Sequence, residues 1–238
     1  MDKTEFQKEL LMQAKKMEII INEKQTNDFY TYMQLLLEWN KKINLTAITE
    51  ENEIITKHFI DSLTLLKYIK EGESIIDVGT GAGFPGIPLK IIMEQNQFTL
   101  LDSLHKRVVF LEECKNKIEL KKTEIIHGRA EEFGSKIEYR EKYDVAVSRA
   151  VAPLNALLEY VIPFIKVGGE FLCMKGPKVE EEILESKKAI EELGVEIEEI
   201  KEISLSNENQ RRIVMFRKKE KTKSIYPRKF VNIKKKPL

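Results

Sequence analysis

The residues from Asp77 to Gly86 could hold a nucleotide through backbone contacts. This stretch reads DVGTGAGFPG and overlaps the apolar run Ser74–Val78, so it is predicted to be a glycine loop at the end of a strand. Gly81–Gly86 matches the G-x-G-x-x-G spacing with which dinucleotide-binding loops approach a pyrophosphate. Glycines let the main chain turn sharply and leave bare backbone beside a ligand. The spacing alone therefore permits a ligand with phosphate or a ligand without it.

Two carboxylates narrow that choice. Asp77 comes just before the glycines, where a negative charge would repel a pyrophosphate but suits an ammonium, such as the amino group of a methionine moiety. Asp102 ends the next predicted strand, and a carboxylate there can accept both hydroxyls of a ribose in either kind of nucleotide ligand. Together they favour an adenosyl ligand that carries an amine. The alternative is structural: Asp77 caps the next turn, and Asp102 is a helix N-cap followed by Ser103.

Strand-like runs must position these carboxylates at one edge of a sheet. The first five runs are separated by helix-length segments, which calls for right-handed crossovers and a parallel sheet with helices on both faces. The last two runs are joined only by the turn-like SNENQ, so they should form an antiparallel hairpin. The seven runs are Ser74–Val78, Phe98–Asp102, Thr123–Ile126, Asp144–Ser148, Glu170–Met174, Val195–Leu205 and Arg211–Phe216.

Helices are predicted ahead of the sheet. One begins near Thr4 as a candidate N-cap, a second lies near Thr26, and a third covers Glu53–Ile69 with its apolar residues at helical spacing. We therefore divide the chain into an N-terminal helical subdomain (1–72), an α/β domain (73–218) and a basic C-terminal tail (219–238).

The composition is that of a folded globular protein. The chain has 238 residues, of which 42% are apolar and 33% are charged, and its formal net charge is +1. No apolar run approaches the roughly 20 residues of a membrane span, and the charged N-terminus lacks the apolar stretch of a signal peptide. We expect a cytoplasmic protein without membrane contact. The two cysteines and three histidines form no ligand pattern, so no metal site is predicted.

Basic residues are concentrated near the C-terminus. From Arg217 to Leu238 ten residues are basic and one is acidic, and the chain ends in KKKPL. Such a segment is typical of a contact with nucleic-acid phosphate. The alternative is a solvated and partly disordered terminus.

The predicted strands resemble the Rossmann-like fold of class I S-adenosylmethionine-dependent methyltransferases. That fold has a seven-stranded sheet, mostly parallel, with an antiparallel C-terminal strand, whereas a nicotinamide-binding domain has six parallel strands and no terminal hairpin. From about Trp39 to Arg217 the chain resembles the small-subunit ribosomal RNA methyltransferase G family, also called glucose-inhibited division protein B. The motifs concerned are NLTAI, KHFIDSL, DVGTGAGFPGIPLKI, LLDSLHKRVVFLEE, HGRAEEF, YDVAVSRAVAPL and GGEFLCMKG. After the sequence YPR, KFVNI stands where this resemblance leads us to expect a Gly/Pro-rich link.

The resemblance implies transfer of a methyl group from S-adenosylmethionine to N7 of a guanine in bacterial 16S rRNA, at position 527 in the usual RNA numbering. It implies the small ribosomal subunit as partner, and we expect a monomer. The cofactor-binding residues that it implies are Gly79, Phe84, Asp102, Ser103, Leu104, Ala130, Glu131 and Arg149. The glycine loop itself adds Asp77 and Gly81 to the candidate cofactor-binding residues. Because N7 carries no proton at neutral pH, no general base is expected, and the site would act by positioning its reactants.

Arg149 is the candidate catalytic residue, as a group that positions the cofactor or the target base. Its alternative role is an ion pair inside the sheet edge. With a positioning role, Arg149→Ala should lower methylation strongly and leave the melting temperature nearly unchanged, whereas a large fall in melting temperature favours the ion pair.

Other polar residues in the motifs have two interpretations each. His58 and Asp61 are three apart on one predicted helix face. They would line the mouth of the cofactor cleft or form a hydrogen-bonded pair that orients the N-terminal helices. His105–Arg107 would contact RNA phosphate or be ordinary exposed charges of a helix.

Two other functions remain open at the level of sequence. A small-molecule methyltransferase with the same fold would not need the basic tail and would be insensitive to salt, whereas RNA binding weakens with salt through counterion release. A ribosome assembly factor would bind RNA but retain the glycine loop without catalysis. Binding of S-adenosylmethionine in calorimetry separates the enzymes from the assembly factor.

Overall fold

The structure of the chain is a computed structural model that describes residues 1–204 and 210–238. Most of the predicted SNENQ turn, together with the predicted strand end at Leu205, lies outside the described residues.

The described strands form one mixed sheet. They are β1 (Ser74–Val78), β2 (Gln97–Asp102), β3 (Thr123–His127), β4 (Tyr143–Arg149), β5 (Ile165–Lys175), β6 (Val195–Ser204) and β7 (Gln210–Lys218). Their order across the sheet is β3-β2-β1-β4-β5-β7-β6. The first five strands are parallel, and β7 is antiparallel to both β5 and β6. The predicted seven-stranded sheet, mostly parallel with an antiparallel C-terminal strand, is therefore confirmed. Its strand order reverses between β1 and β4, and ligands of such sheets bind beyond the carboxyl ends of the strands at that reversal.

Helices cover both faces of the sheet. They are α1 (Lys3–Lys16), α2 (Glu23–Asn40), α3 (Glu51–Ile54), α4 (Asp61–Leu63), α5 (Gly86–Ile92), α6 (His105–Lys117), α7 (Ala130–Phe133), α8 (Leu154–Val161), α9 (Val179–Glu185), α10 (Lys187–Glu192) and α11 (Phe230–Lys235). One hydrophobic cluster joins α1, α2, α5 and α6, and another joins α8, α9 and α10 to the opposite face. Leu100 and Leu101 belong to different clusters because successive side chains of a strand point to opposite faces.

The predicted helical structure of the N-terminal region is confirmed, but some of the predicted helix boundaries are wrong. The N-cap of α1 is Asp2, which forms a capping box with Glu5, so the predicted Thr4 cap is wrong. The third predicted helix is divided into α3, a π-helical segment at Ile55–Ile60, α4 and a 3₁₀ turn at Leu66–Tyr68. A π-helical turn is wider than an α-helical turn and is frequent at functional sites.

The N-terminal helices also share a core with the sheet domain. Phe59 packs near Phe84 of the glycine loop, with 6.2 Å between ring centroids. The Tyr32 hydroxyl donates a hydrogen bond to the Ala82 carbonyl of the same loop. The helices therefore help to fix the loop that ends the first strand.

The C-terminal segment folds back onto the sheet domain. Tyr226 and Ile233 are buried, and α11 packs against α8. This packing does not match the alternative of a solvated, disordered terminus, while the predicted phosphate contact remains a prediction.

Within residues 1–204 and 210–238, no helix has both the length and the apolar character needed to cross a bilayer. Cys114 and Cys173 are both buried, and burial raises the pKa of each thiol, to about 12 for Cys173. Both thiols are therefore protonated at neutral pH.

Candidate cofactor site and active site

A cavity of about 660 Å³ opens at the carboxyl ends of β1, β2 and β3. Small-molecule sites usually have volumes of roughly 300–1,000 Å³, so this cavity is large enough for a nucleoside ligand. Five predicted site residues line it: Gly79, Asp102, Ser103, Ala130 and Glu131. The other five are not in its lining: Asp77, Gly81, Phe84, Leu104 and Arg149.

The glycine loop that follows β1 is fastened to the end of β2. The amides of Gly79 and Thr80 donate to the Leu101 carbonyl at 2.9 and 3.1 Å. The Gly81 amide donates to Oδ2 of Asp102 at 2.9 Å. Because these N–H groups already have protein acceptors, the loop does not offer the cluster of free amides with which such loops bind a pyrophosphate. This geometry disfavours a dinucleotide.

Gly79 sits where two loops touch. Its φ is +72°, in the left-handed region, and a Cβ at this position would lie 2.6 Å from a methyl carbon of Val151. Only glycine therefore fits without a shift of the segment after β4. Gly79 leaves bare backbone facing the cavity.

Asp77 is buried beneath the loop. Its Oδ2 accepts hydrogen bonds from the Thr80 hydroxyl at 2.7 Å and the Gly86 amide at 2.8 Å. Its Oδ1 has no hydrogen-bond partner among the described residues, and burial raises the pKa of Asp77 to about 7. The geometry matches the turn-capping alternative, and the contact with a ligand ammonium remains a prediction.

Asp102 is not the predicted N-cap of α6, because that position is occupied by Leu104, and its contact with a ribose remains a prediction. Its Oδ1 accepts the Leu104 amide at 2.9 Å in the turn before α6, while Oδ2 accepts the Gly81 amide and lies 3.4 Å from the Arg107 guanidinium. The side chain also lines the cavity. A carboxylate has about four acceptor positions, so capacity remains for a ligand hydroxyl.

The remaining residues around Asp102 differ in their placement. Ser103 lines the cavity, and its carbonyl lies 3.2 Å from Nε2 of His127. The Leu104 side chain is 52% exposed, and the contact of this residue with Asp102 is made by its backbone amide. Glu131, at the start of α7, lines the cavity, and burial raises its pKa.

Arg149 belongs to a second cluster beside the cavity. One guanidinium nitrogen donates to Oδ2 of Asp61 at 2.8 Å and to the Lys57 carbonyl at 2.9 Å. The guanidinium also lies over the Phe84 ring, 5.0 Å from its centroid. Since Asp61 is fully buried, the structure contains the ion pair that was the alternative role of Arg149. A role of Arg149 toward a ligand remains a prediction.

His58 completes this cluster as a neutral ring. Burial and the charge of Arg149 lower the pKa of His58 to about 3. A guanidinium can only donate, so Nδ1 of His58 accepts from Arg149 at 3.0 Å, and the proton on Nε2 is donated to the Thr46 hydroxyl at 2.8 Å. The ring stacks on Phe84 with 4.3 Å between centroids. His58 and Asp61 thus hold Arg149 rather than each other, and NLTAI, KHFIDSL and SRAVAPL meet at this point.

Two stretches line the cavity that the sequence analysis did not assign to it. The first is Ala150–Pro153, directly after Arg149, and the second is the C-terminal segment through Phe230, Ile233, Lys234 and Pro237. The three-residue spacing of Phe230 and Ile233 was a sequence signal of a helix face. The lysines around these two residues made the segment read as a basic tail instead of an amphipathic helix.

Comparison with known proteins gives the family. Residues 25–214 match the sequence model of GidB, described as rRNA small subunit methyltransferase G. A protein named ribosomal RNA small subunit methyltransferase G from Thermoanaerobacter sp. (strain X514) is 51% identical over 232 residues, which are 96% of this chain and 97% of that protein. The protein of the same name from Clostridium botulinum (strain Loch Maree / Type A3) is 52% identical over 220 residues, 91% of this chain and 92% of that one.

Solved structures agree on the fold. A SAM-dependent methyltransferase from Aquifex aeolicus is 21% identical, with a TM-score of 0.54 over 76% of this chain and 97% of that one. TYW2 from M. jannaschii in complex with AdoMet is 16% identical, with a TM-score of 0.53 over 66% of this chain and 72% of that one. With the match of the family model and the identity to these curated relatives, the resemblance seen in the motifs is confirmed: the chain is a methyltransferase that belongs to the rRNA small subunit methyltransferase G (GidB) family.

Proposed function

We propose that the chain transfers a methyl group to N7 of a guanine in bacterial 16S rRNA, the guanine at position 527 in the usual RNA numbering. The observation that carries this proposal is the 51% identity over 97% of a relative named for small-subunit rRNA methylation. The cavity at the carboxyl edge of the sheet supports it.

S-adenosylmethionine is the methyl donor, and when bound it supplies an electrophilic methyl group on a sulfonium. The residues present fit this group. Asp102 retains acceptor capacity toward the cavity for a ribose hydroxyl, and Gly79 presents backbone at a point where a Cβ would collide with Val151. Asp77 lies beneath the glycine loop and outside the cavity lining, so a contact of its unpartnered Oδ1 with the ammonium group would require the loop to shift.

The chain's own contribution is positioning. A guanine N7 lone pair attacks without losing a proton, so the reaction needs no general base. His58 is consistent with this, since it is neutral and both of its ring nitrogens are engaged by Arg149 and Thr46. Aligning N7 with the methyl carbon and the sulfur, and excluding water, can contribute several kcal/mol. Arg149 takes part in this alignment from the end of β4.

The partner is the small ribosomal subunit or its rRNA. A ribosomal substrate places the reaction in the cytoplasm. We propose that the enzyme acts as a monomer. Light scattering of the purified protein tests this state.

The decisive experiment supplies a labelled methyl donor and small subunits from cells that lack the modification. We expect one labelled N7-methylguanine, mapped by primer extension after cleavage at the modified base. Subunits from modified cells are the matched control and should accept no label. Label on another base, or on another atom of guanine, would overturn the assignment to N7.

The two alternative functions give different results in the same assay. A small-molecule methyltransferase would leave the subunits unlabelled at every salt concentration, whereas rRNA methylation should fall steeply as salt rises. An assembly factor without catalysis would give no heat of binding with S-adenosylmethionine at saturating concentration.

A further inference from the structure

The C-terminal segment is anchored to the sheet domain by buried and multidentate contacts. The Arg140 guanidinium donates to the carbonyls of Gly134, Thr222, Lys223 and Tyr226 at 2.7–3.2 Å. Three of these carbonyls, those of Thr222, Lys223 and Tyr226, belong to the segment, so one guanidinium fixes its path as it leaves β7.

A second anchor lies just before α11. Arg228 makes a two-pronged contact with the carboxylate of Glu159 on α8, with 2.6 Å for the shortest distance, and Glu159 is fully buried. The Arg228 amide also donates to Glu159 at 2.8 Å. Bidentate contacts of this kind set orientation as well as position. They therefore determine which face of α11 meets the domain.

That face of α11 is turned toward the cavity. Phe230, Ile233 and Lys234 line it, and Ile233 is 0% exposed. The Arg129 guanidinium, from the end of β3, lies 4.4 Å from the centroid of the Phe230 ring. Val231, on the other side of the same helix, is 68% exposed. The helix thus presents an apolar face to the cavity and a solvated face away from it.

We propose that α11 is a wall of the cofactor site, where Phe230 supplies an apolar surface for the nucleoside part of S-adenosylmethionine and the fully buried Ile233 holds the helix in place. The inference rests on the proposed function for the identity of the cofactor. Asp102 is the residue expected to hold the ribose, and the base attached to that ribose needs an apolar surface nearby. The apolar part of the cavity lining includes Val78, Leu101, Val151 and Tyr160 from the sheet domain, and α11 adds the Phe230 ring to it.

A wall of this kind couples two equilibria. Cofactor binding stabilises the docked segment, and the docked segment strengthens cofactor binding by the same factor. If α11 instead filled the space that the cofactor needs, the coupling would have the opposite sign. The two cases are separable by measurement.

The first test measures the dissociation constant of S-adenosylmethionine by calorimetry for Phe230→Ala and Ile233→Ala. Val231→Ala is the matched control, since it removes an apolar side chain from the same helix on the exposed side. We expect affinity to fall about tenfold for each cavity variant, as the loss of a buried side-chain contact predicts. Affinity of the control should stay within about twofold of wild type on the same scale.

The second test needs no substitution and guards against variants that fail to fold. Amide hydrogen exchange of residues 230–236 in the wild-type chain should slow when S-adenosylmethionine is added. Faster exchange with the cofactor, or tighter binding by Ile233→Ala, would mean that α11 occupies the space that the cofactor needs, and would overturn the inference. Unchanged exchange together with unchanged affinities would overturn it as well.

These outcomes are distinct from a failure of the proposed function. If S-adenosylmethionine protects α11 in the wild-type chain but a substrate other than the guanine is methylated, the role of α11 is supported and the proposed substrate is rejected. If the guanine N7 is methylated but the substitutions at Phe230 and Ile233 leave cofactor affinity unchanged, the proposed function is supported and the role of α11 is rejected.

Discussion

Arg149 and Asp61 form an ion pair between the end of β4 and the helical segment that precedes the sheet, with 2.8 Å between nitrogen and oxygen. Asp61 is fully buried. Arg211 of β7 lies 3.5 Å from the second carboxylate oxygen, an ion-pair distance without hydrogen-bond geometry. One buried carboxylate therefore ties together the N-terminal helices, the post-β4 edge and the terminal hairpin.

The ion pair changes what is expected of Arg149→Ala. Removing one partner of a buried pair leaves an uncompensated charge and typically costs about 3–5 kcal/mol. We expect the free energy of unfolding in urea to fall by up to about that amount, with part of the loss offset by Arg211 at 3.5 Å from Asp61, whereas a pure positioning role would leave the melting temperature unchanged. Adding Asp61→Asn should restore part of the loss, because it removes the stranded charge. Wild-type stability with lost methylation would instead assign Arg149 to the ligand alone.

His58 should make stability depend on pH. Its pKa is about 3 in the folded chain against 6.5 for the free side chain, so the unfolded state takes up a proton below about pH 6.5 that the folded state refuses. Stability should therefore fall as pH falls from about 6.5 toward 3. His58→Asn keeps an acceptor for Arg149 but does not titrate. The difference in unfolding free energy between pH 7.5 and pH 5 should be smaller in the variant, and equal differences would contradict the assignment.

Local and periodic features of this chain could be predicted from its sequence, but contacts between residues far apart in the chain could not. The strand that ends in Val78 follows from apolar residues beside glycines, and the terminal hairpin follows from a connection too short for a crossover. The pairing of Arg149 with Asp61 joins residues 88 positions apart, and local spacing carries no information on such a contact. The packing of the C-terminal segment could not be predicted because its composition is dominated by basic residues. Its position depends on Glu159, a buried acid in another helix.

The contact between the two loops at Gly79 can be isolated by a pair of alanine variants. Gly79→Ala and Gly168→Ala both place a side chain at positive φ, +72° and +85°, but only the first meets Val151, whereas the second has nothing within 4 Å. The shared backbone strain costs about 1–2 kcal/mol. We expect a larger fall in melting temperature and weaker cofactor binding for Gly79→Ala alone. Equal effects would mean that the post-β4 segment moves aside freely.

Asp77→Asn tests whether the buried carboxylate has a role beyond the turn. The pKa of Asp77 is raised to about 7 from 3.8, so its contribution to stability is full below about pH 3.8 and is lost as pH rises through about 7. An asparagine oxygen can still accept from Thr80 and Gly86 without carrying a charge. We expect the variant to be at least as stable as wild type at pH 8 and to bind S-adenosylmethionine at least tenfold more weakly. Unchanged affinity in calorimetry would leave Asp77 as a turn cap only.

The exposed lysines of the C-terminal segment separate RNA binding from cofactor binding. Lys235 and Lys236 are exposed and are not part of the cavity lining, unlike Lys234. If they meet phosphate, replacing both with alanine should weaken rRNA binding in a filter assay and reduce the slope of log affinity against log salt by about 1 per lysine. The cofactor dissociation constant should not change. Lys3→Ala with Lys8→Ala, on the exposed side of α1, is the matched control for net charge. An equal loss of rRNA affinity in the two double variants would mean that the tail contributes only general charge, and no loss in either would remove the phosphate contact from the tail.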